Sequence, residues 1–430
     1  MLRNIILMTA MLMIIIGARP SVAQTLEDRL NGLQRIQDEQ QQAIDQLQQA
    51  KLPTGGCLAS CDGKLVVQSA DGSFKYSIGG RLQNDWAWFA EDSGIRAAGK
   101  RSEDGTEFRR ARLMASGTLY ERINFVTQYD FAGGSPAFYD VYLELIKVPI
   151  MGTIRVGQTY EPIGLETLTS DNYVSFIERA TLTAITPERD TGLRVLNSAI
   201  DGRMSWSIGL FRRSDKFGKA QDDGAYNATG RITAVPWRND DGPGLLHLGM
   251  SLSKRQPNND SLQIAVQPEA HLAATYLDTT ALTVTSYDLL GAEAAVVLGP
   301  WSLQGEWLGA MLGTPGPADP TVSAWYGYIS YFLTGESRPY EHDQGVMGRV
   351  KPRHPAFSKD GGAGAWELLL RYSSIDLTDG AVVGGELHNW TGGANWYLNP
   401  KTRVMANYVR SHLIGVGTTD IVETRFQIDF

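Results

Sequence analysis

The last nine residues, Val422-Glu423-Thr424-Arg425-Phe426-Gln427-Ile428-Asp429-Phe430, alternate without a break. Val422, Phe426, Ile428 and Phe430 share one parity, and Glu423, Arg425, Gln427 and Asp429 share the other. Side chains alternate faces along a strand, so this strand has one apolar and one ionic face. Strands of this kind fit either a sheet half buried in a soluble core or a barrel wall between lipid and a wet lumen. Phe74, Tyr76, Ile78, Leu82, Trp86 and Trp88 repeat the pattern against Lys75, Ser77, Arg81, Gln83 and Asp85.

The N-terminus bears on the choice. Arg3, the apolar run Ile5 to Ile16 and the small-residue site Ser21-Val22-Ala23 predict a secretory signal peptide over residues 1–23. A membrane anchor is the competing reading, but a bilayer span needs about 20 apolar residues. No other stretch approaches that length, so a membrane location would have to be reached with strands. The formal net charge of -8 becomes -10 without Arg3 and Arg19, which argues against a nucleic-acid partner. Glycine (46), tryptophan (10) and tyrosine (17) suit barrel strands and aromatic girdles.

Residues 24–51 read as a separate module. Leu26, Leu30, Leu33, Gln37, Gln40, Ile44 and Leu47 form a heptad seam, which predicts a helical coiled coil that buries itself against copies of the same chain. Pro53, Gly55 and Gly56 end it, and residues 52–73 read as a linker. Cys57 and Cys61 are the two cysteines. In an oxidising compartment they form a candidate disulfide, within or between chains, and no further ligands for a metal site lie near them.

From residue 74 to 430 sixteen candidate strands follow, beginning with 74–88 and ending with 420–430. Most even-to-odd connections are tight, as at Tyr120-Glu121, Asp201-Gly202, Gly299-Pro300 and Asn399-Pro400. Most odd-to-even ones are longer, as at 89–106, 160–189 and 256–285. Short turns on the side bearing both ends and long loops on the other predict an all-β, sixteen-stranded antiparallel transmembrane β-barrel. The segment 335–362 breaks the rule.

Several motifs point further. Phe108-Arg109-Arg110-Ala111-Arg112-Leu113, Tyr129-Asp130-Phe131-Ala132-Gly133-Gly134, Pro187-Glu188-Arg189-Asp190-Thr191-Gly192, Leu333-Thr334-Gly335-Glu336-Ser337-Arg338-Pro339-Tyr340, Gly364-Ala365-Trp366-Glu367-Leu368 and Asn395-Trp396-Tyr397-Leu398-Asn399-Pro400 occur in this order. Together they resemble the phosphate-selective porin O and P family from about residue 74 onward. The resemblance implies an outer-membrane homotrimer with the third loop folded inward as a constriction, and insertion by barrel-assembly machinery, for which Phe430 fits the signal. The N-terminal module would then lie in the periplasm.

Arginine suits oxyanions because its planar fork stays charged and donates twice. Parity turns Arg81, Arg110 and Arg112 toward the lumen, whereas Arg109 has the lipid-facing parity and needs a strand end, a bulge or a protomer interface. The resemblance carries Arg81, Arg109 and Arg110 onto a central anion site. The candidate pore set is Arg81, Arg109, Arg110, Arg112, Asp140, Tyr160, Thr167 and Ser170. The same arginines could instead pair with Asp130, Asp140, Glu144 and Glu161 and only hold the wall. A short helix is expected through Phe176, Ile177, Glu178 and Arg179.

Five departures from the family pattern bear on selectivity. Thr167 and Asn124 align with lysines, Arg112 with an aromatic residue and Asp171 with a serine. The loop 256–285 carries no arginine where phosphate-selective members have a run of them. The expected function is therefore passive diffusion of small hydrophilic solutes with a mild preference for anions, phosphate among them, and no cofactor. The alternative is an envelope protein tethering the outer membrane through its coiled coil. An enzyme is not expected, since the six histidines are scattered.

Overall fold

The computed structural model describes residues 64–430, apart from 222–225, 317–318 and 360, with the backbone of a strand Cys57–Cys61 and two helical residues, Gln37 and Gln41. The chain divides into two units, Met1–Cys57 and Leu58–Phe430. The signal peptide and nearly all of the coiled coil fall outside the described residues, as do the cysteine side chains. Within the segment read as a linker, Lys64–Gln68 is a strand that pairs with the start of the barrel, Leu65 opposite Ile78 and Gln68 opposite Lys75.

Sixteen strands follow in Leu58–Phe430: β1 Phe74–Glu91, β2 Gly105–Leu119, β3 Ile123–Asp130, β4 Ala137–Val148, β5 Gly152–Tyr160, β6 Arg189–Ala199, β7 Met204–Arg212 and β8 Asn227–Arg238. They continue as β9 Gly244–Arg255, β10 Ser286–Leu298, β11 Trp301–Gly313, β12 Thr321–Phe332, β13 Ala365–Asp379, β14 Val382–Asn399, β15 Thr402–Leu413 and β16 Gly417–Asp429. Each pairs antiparallel with its sequence neighbours, and β16 returns to β1 with Thr419 opposite Glu91 and Asp429 opposite Arg81. Phe430 extends the seam by exchanging hydrogen bonds with Gly80 at 2.8 and 3.0 Å. A side chain at position 80 would lie 2.8 Å from the Phe430 ring, so a glycine there lets the last aromatic close the barrel. Closure matters because an open edge would leave unpaired backbone groups in lipid.

The wall is inverted relative to a soluble sheet. In β1, Ile78, Leu82, Trp86 and Trp88 are exposed on the outside while Gln83, Asp85 and Glu91 are buried inside. In β16, Val422, Phe426 and Ile428 face out and Glu423, Arg425, Gln427 and Asp429 face in. The membrane reading of the alternation therefore holds.

Both barrel ends lie on one side, the near side. Its turns are tight, as at Tyr120 and Glu121, both at positive φ (47° and 58°), the twist that suits a two-residue hairpin. The exception is the connection 333–364. Four far-side loops are long, at 92–104, 161–188, 213–226 and 256–285, but 380–381 and 414–416 are short. Most far-side loops are thus longer than the near-side turns, with those two as exceptions.

Three segments fold into the lumen. The loop 161–188 contributes Ile163, Phe176 and Leu182, and the loop 256–285 contributes Ile264, Val266 and Tyr276. Both pack against Leu289, Leu308, Leu312, Val322, Ile375 and Leu387 on the inner face of β10–β14. The near-side connection 333–364 places Val346 and Met347 against Leu165 of the first loop. The apolar core therefore lies inside the barrel and fills one part of its bore. The remaining space runs along β1–β6.

Candidate functional site

The site begins with a bulge. Along β1 and β2, Gln83 opposes Arg110 and Asn84 opposes Phe108, so Arg109 is the extra residue. The bulge releases Arg109 from its lipid-facing parity and aims it inward, where Nε and Nη2 donate to the two carboxylate oxygens of Glu178 at 2.9 and 3.2 Å. Bulge and partner both come from the fold; the sequence shows only that the parity fails.

Arg110 and Arg112 reach the lumen as their parity predicts. Arg112 donates to Asp130 at 2.7 Å and to Asp171 at 2.7 Å, with its guanidinium 3.6 Å from the centre of the Tyr139 ring. Arg110 donates Nη1 to Gln83 at 2.8 Å, and its Nε lies 3.1 Å from Asp171. Arg81 Nη1 lies 3.5 Å from the same carboxylate oxygen. From the loop itself, Arg179 Nη1 lies 2.6 Å from the other oxygen, while its Nε and Nη2 donate to the carbonyls of Glu166 and Thr169. Four guanidiniums thus converge on Asp171. Burial pushes its carboxyl up, but Arg110, Arg179, Arg112 and Arg81 prevail and hold it well below the usual carboxylate range. Burial likewise works against Glu178, which Arg109 and Arg425 hold low.

The segment expected to form a helix, Phe176 to Arg179, is irregular, and short helical turns occupy Leu165–Leu168 and Thr181–Ile185 instead. Its carbonyls are taken by wall side chains. Arg403 donates to Val174 O at 2.7 Å, Asn395 to Ser175 O at 2.8 Å and Arg371 to Glu178 O at 3.1 Å, and Arg425 donates to Ile177 O. A helix would need those acceptors for itself.

Two cavities flank this cluster. The far one, about 380 Å³, is lined by Arg109, Arg110, Arg112, Thr167, Glu178 and Arg179 among others. The near one, about 200 Å³, is lined by Arg81, Asp140, Arg155, Ser170, Asp171 and Arg194 among others. Tyr160 and Arg189 line both and therefore stand at the neck. Arg189 grips Asp140 through two hydrogen bonds of 3.1 Å, and its guanidinium lies 3.8 Å from the Tyr160 ring centre and 4.6 Å from that of Tyr139. Thr167 Oγ1 is buried without a hydrogen-bond partner. Ser170 Oγ accepts from the Asn172 N–H at 3.4 Å.

All eight pore residues named from sequence line one cavity or the other. The sequence reading missed Arg155, Arg179, Arg189 and Arg194. Arg155 lies between Ile154 and Val156, and Arg194 between Leu193 and Val195, the same flanking that marked Arg112 as inward. Arg179 and Arg189 carry no such signal, because a loop and a strand end have no parity. Arg155 is neutralised by Glu144 at 2.7 Å. Arg194 donates to Ser207 Oγ at 2.6 Å and to Tyr160 O at 3.2 Å, and neither contact is a carboxylate.

Around the neck, then, Arg81, Arg109, Arg110, Arg112, Arg155, Arg179, Arg189 and Arg194 face Asp130, Asp140, Glu144, Asp171, Glu178 and Glu188. Eight cations against six anions leave a surplus of two positive charges. The loop 256–285 adds no cationic path. It lines the far cavity through Ala265, Val266, Gln267, Glu269, Ala270 and His271, and Arg371 ties Glu269 to the wall. Of the two cations before that loop, Lys254 points outward and Arg255 pairs inward with Glu161 at 2.6 Å.

Known proteins share this architecture. Porin O of Pseudomonas aeruginosa is 24% identical over 388 residues, covering 81% of this chain and 85% of that one. Among solved structures, a loop-deletion variant of the outer membrane protein OmpT of Vibrio cholerae matches with a TM-score of 0.52 at 11% identity, over 83% of this chain and 99% of the other. An anion-selective porin from Comamonas acidovorans matches with a TM-score of 0.50 at 14% identity, over 83% and 100%. These structural likenesses speak for the fold. The model of one family, phosphate-selective porin O and P, matches residues 77–430, and the chain belongs to that family of outer-membrane porins.

Proposed function

We propose that this porin passes small hydrophilic solutes by diffusion, with a mild preference for anions set at the Tyr160–Arg189 neck. The surplus of two positive charges carries the reading: fixed positive charge in a narrow, low-dielectric passage raises the local concentration of anions and repels cations. The preference is mild because most of those guanidiniums already face a carboxylate. The loop 256–285 offers no stepwise cationic path, and Thr167 brings no charge where the family carries a lysine. Porin O and the Comamonas porin, an anion-selective channel by its description, support the class of solute. Reversal potentials across planar bilayers under a chloride gradient test the reading; the expected sign is anion-selective, and clear cation selectivity overturns it. Phosphate added to the chloride bath is expected to block only weakly.

The same proposal includes a homotrimer in outer-membrane lipid, inserted by barrel-assembly machinery, with residues 24–51 as a periplasmic coiled coil after loss of 1–23. A trimeric form of OmpT and the heptad seam support it. A coiled coil of 28 residues reaches about 40 Å, enough to approach the cell wall, so the seam also favours a second, tethering function. Deleting 24–51 separates the two: loss of trimers alone marks assembly, whereas envelope failure with normal conductance marks tethering. A disulfide through Cys57 and Cys61 belongs to the same proposal, and non-reducing gels of the trimer read it.

A further inference from the structure

We infer that Arg81, Arg110, Arg112 and Arg179 form a masked oxyanion-binding site, and that Asp171 is the tethered anion that masks it. The inference rests on reading the neck as the permeation path. Three of the guanidiniums come from the wall strands β1 and β2, so most of the cradle stands on rigid elements independent of Asp171, and the fourth, Arg179, shares its loop. A single carboxylate is a poor fit to it. Arg110 is 5% exposed, yet its Nε has no hydrogen-bond partner although Asp171 lies 3.1 Å away. Asp171 Oδ1 also has none, because Arg179 approaches it off the hydrogen-bond line. An acceptor with more oxygens and a higher charge than a carboxylate could use donors that are now idle. A tetrahedral oxyanion of the phosphate or sulfate kind has those properties.

Asp171 cannot easily leave. Its carbonyl accepts from Gln83 Nε2 at 3.3 Å and from Arg403 Nη2 at 3.2 Å, and the next carbonyl, of Asn172, accepts from Gln427 at 3.4 Å. The side chain is thus presented to the cradle from a pinned backbone. A tethered group competes at an effective concentration in the millimolar range or above, without dissociating into the bath. A dissolved dianion must displace it, whereas chloride passes along the uncompensated charge of Arg194. The chain keeps the donors of an oxyanion site and fills them with its own carboxylate, which makes the pore general.

The test titrates inorganic phosphate into chloride-conducting single channels of the full chain, comparing the natural protein with Asp171→Asn and Asp171→Ser. The half-blocking phosphate concentration is expected to fall at least tenfold in both variants, with the reversal potential moving toward anions. Adding Arg179→Gln to Asp171→Asn is expected to abolish most of that gain. Folded Asp171→Asn channels that block at the natural concentration overturn the inference. If Asp171→Asn does not refold alone, refolding with phosphate present decides: recovery of heat-modifiable barrel supports a site that phosphate can fill, and no recovery overturns it. A natural protein that is cation-selective, beside an Asp171→Asn variant that phosphate blocks, would remove the anion-porin reading and leave the masked site standing.

Discussion

Two arcs of the same barrel wall make opposite use of their inner faces. Along β1–β6 the lumen side carries Arg81, Asp85, Arg110, Arg112, Asp130, Asp140, Arg155 and Arg194, and space remains in front of them. Along β10–β14 the far half carries Leu289, Leu308, Leu312, Val322, Ile375 and Leu387, and the inward loops cover them. The loop 161–188 bridges the arcs because it has two characters: Phe176 and Leu182 bury against the apolar arc, and Asp171, Glu178 and Arg179 meet the ionic one. Apolar contact fixes where the loop sits; charge decides what passes on the side it leaves open. Ionic groups in the packed arc serve the loops. Glu306 accepts the N–H groups of Leu165 and Glu166, both at 2.7 Å, and Arg371 holds Glu269.

This division predicts that substitutions in the packed arc cost stability and those in the ionic arc change permeation. The largest effect is expected from Arg371→Ala, which leaves Glu166 and Glu269 buried without their partner. A loss of about 3–5 kcal/mol is expected, read from urea unfolding in lipid vesicles together with open, noisy conductance as the loops come loose. Unchanged stability would mean that the loops are held by apolar contact alone. Next, Leu182→Ala, in a fully buried contact with the apolar arc, is expected to cost about 3 kcal/mol, with a rise in conductance and little change in selectivity.

In the ionic arc, Arg189→Gln removes a cation common to both cavities and frees Asp140. A charge at close range in a wet channel is worth about 1 kcal/mol, so the anion-to-cation permeability ratio is expected to fall about fivefold with the barrel intact. A loss of folding instead would place Arg189 among the structural groups. Acid sharpens the same contrast. The Asp171 carboxyl is held low in the folded chain, so its stabilisation is present above the ordinary carboxylate range and is lost only when pH falls through the depressed value. Its contribution to selectivity and stability is thus expected to stay constant from pH 7 down to about 4.5, close to the unfolded carboxylate value. A step in reversal potential within that window that disappears in Asp171→Asn would contradict the four-arginine cradle. The smallest effect belongs to neither arc. Lys254 and Asp288 form an exposed outer pair at 3.9 Å, and Lys254→Ala is expected to change stability by less than about 0.5 kcal/mol.

Much of this was legible in the chain. The alternation that ends at Phe430 gave the wall, and a count of such segments gave sixteen strands, because the period-2 pattern is a local property that lipid on one side and water on the other enforce residue by residue. The same parity turned Arg81, Arg110 and Arg112 inward and would have done so for Arg155 and Arg194. Parity failed at Arg109, and that failure pointed to the bulge. Residues outside regular strands were illegible. Arg179 and Arg189 join the site from a loop and a strand end, and the helix expected at Phe176 to Arg179 is absent because wall side chains from distant strands claim its carbonyls.

What the sequence by itself determined is the barrel: its strand number, its inside and outside, its closing seam and the arginines of its first strands. Tertiary structure alone decided that three inward segments fill one arc, that Tyr160 and Arg189 stand where two cavities meet, and that Asp171 sits among four guanidiniums. The physical reason is range. Which face a strand residue takes depends on its immediate neighbours, whereas the charge an ion meets at the neck is a sum over groups from β1 to β6 and a loop, brought together only when the barrel closes.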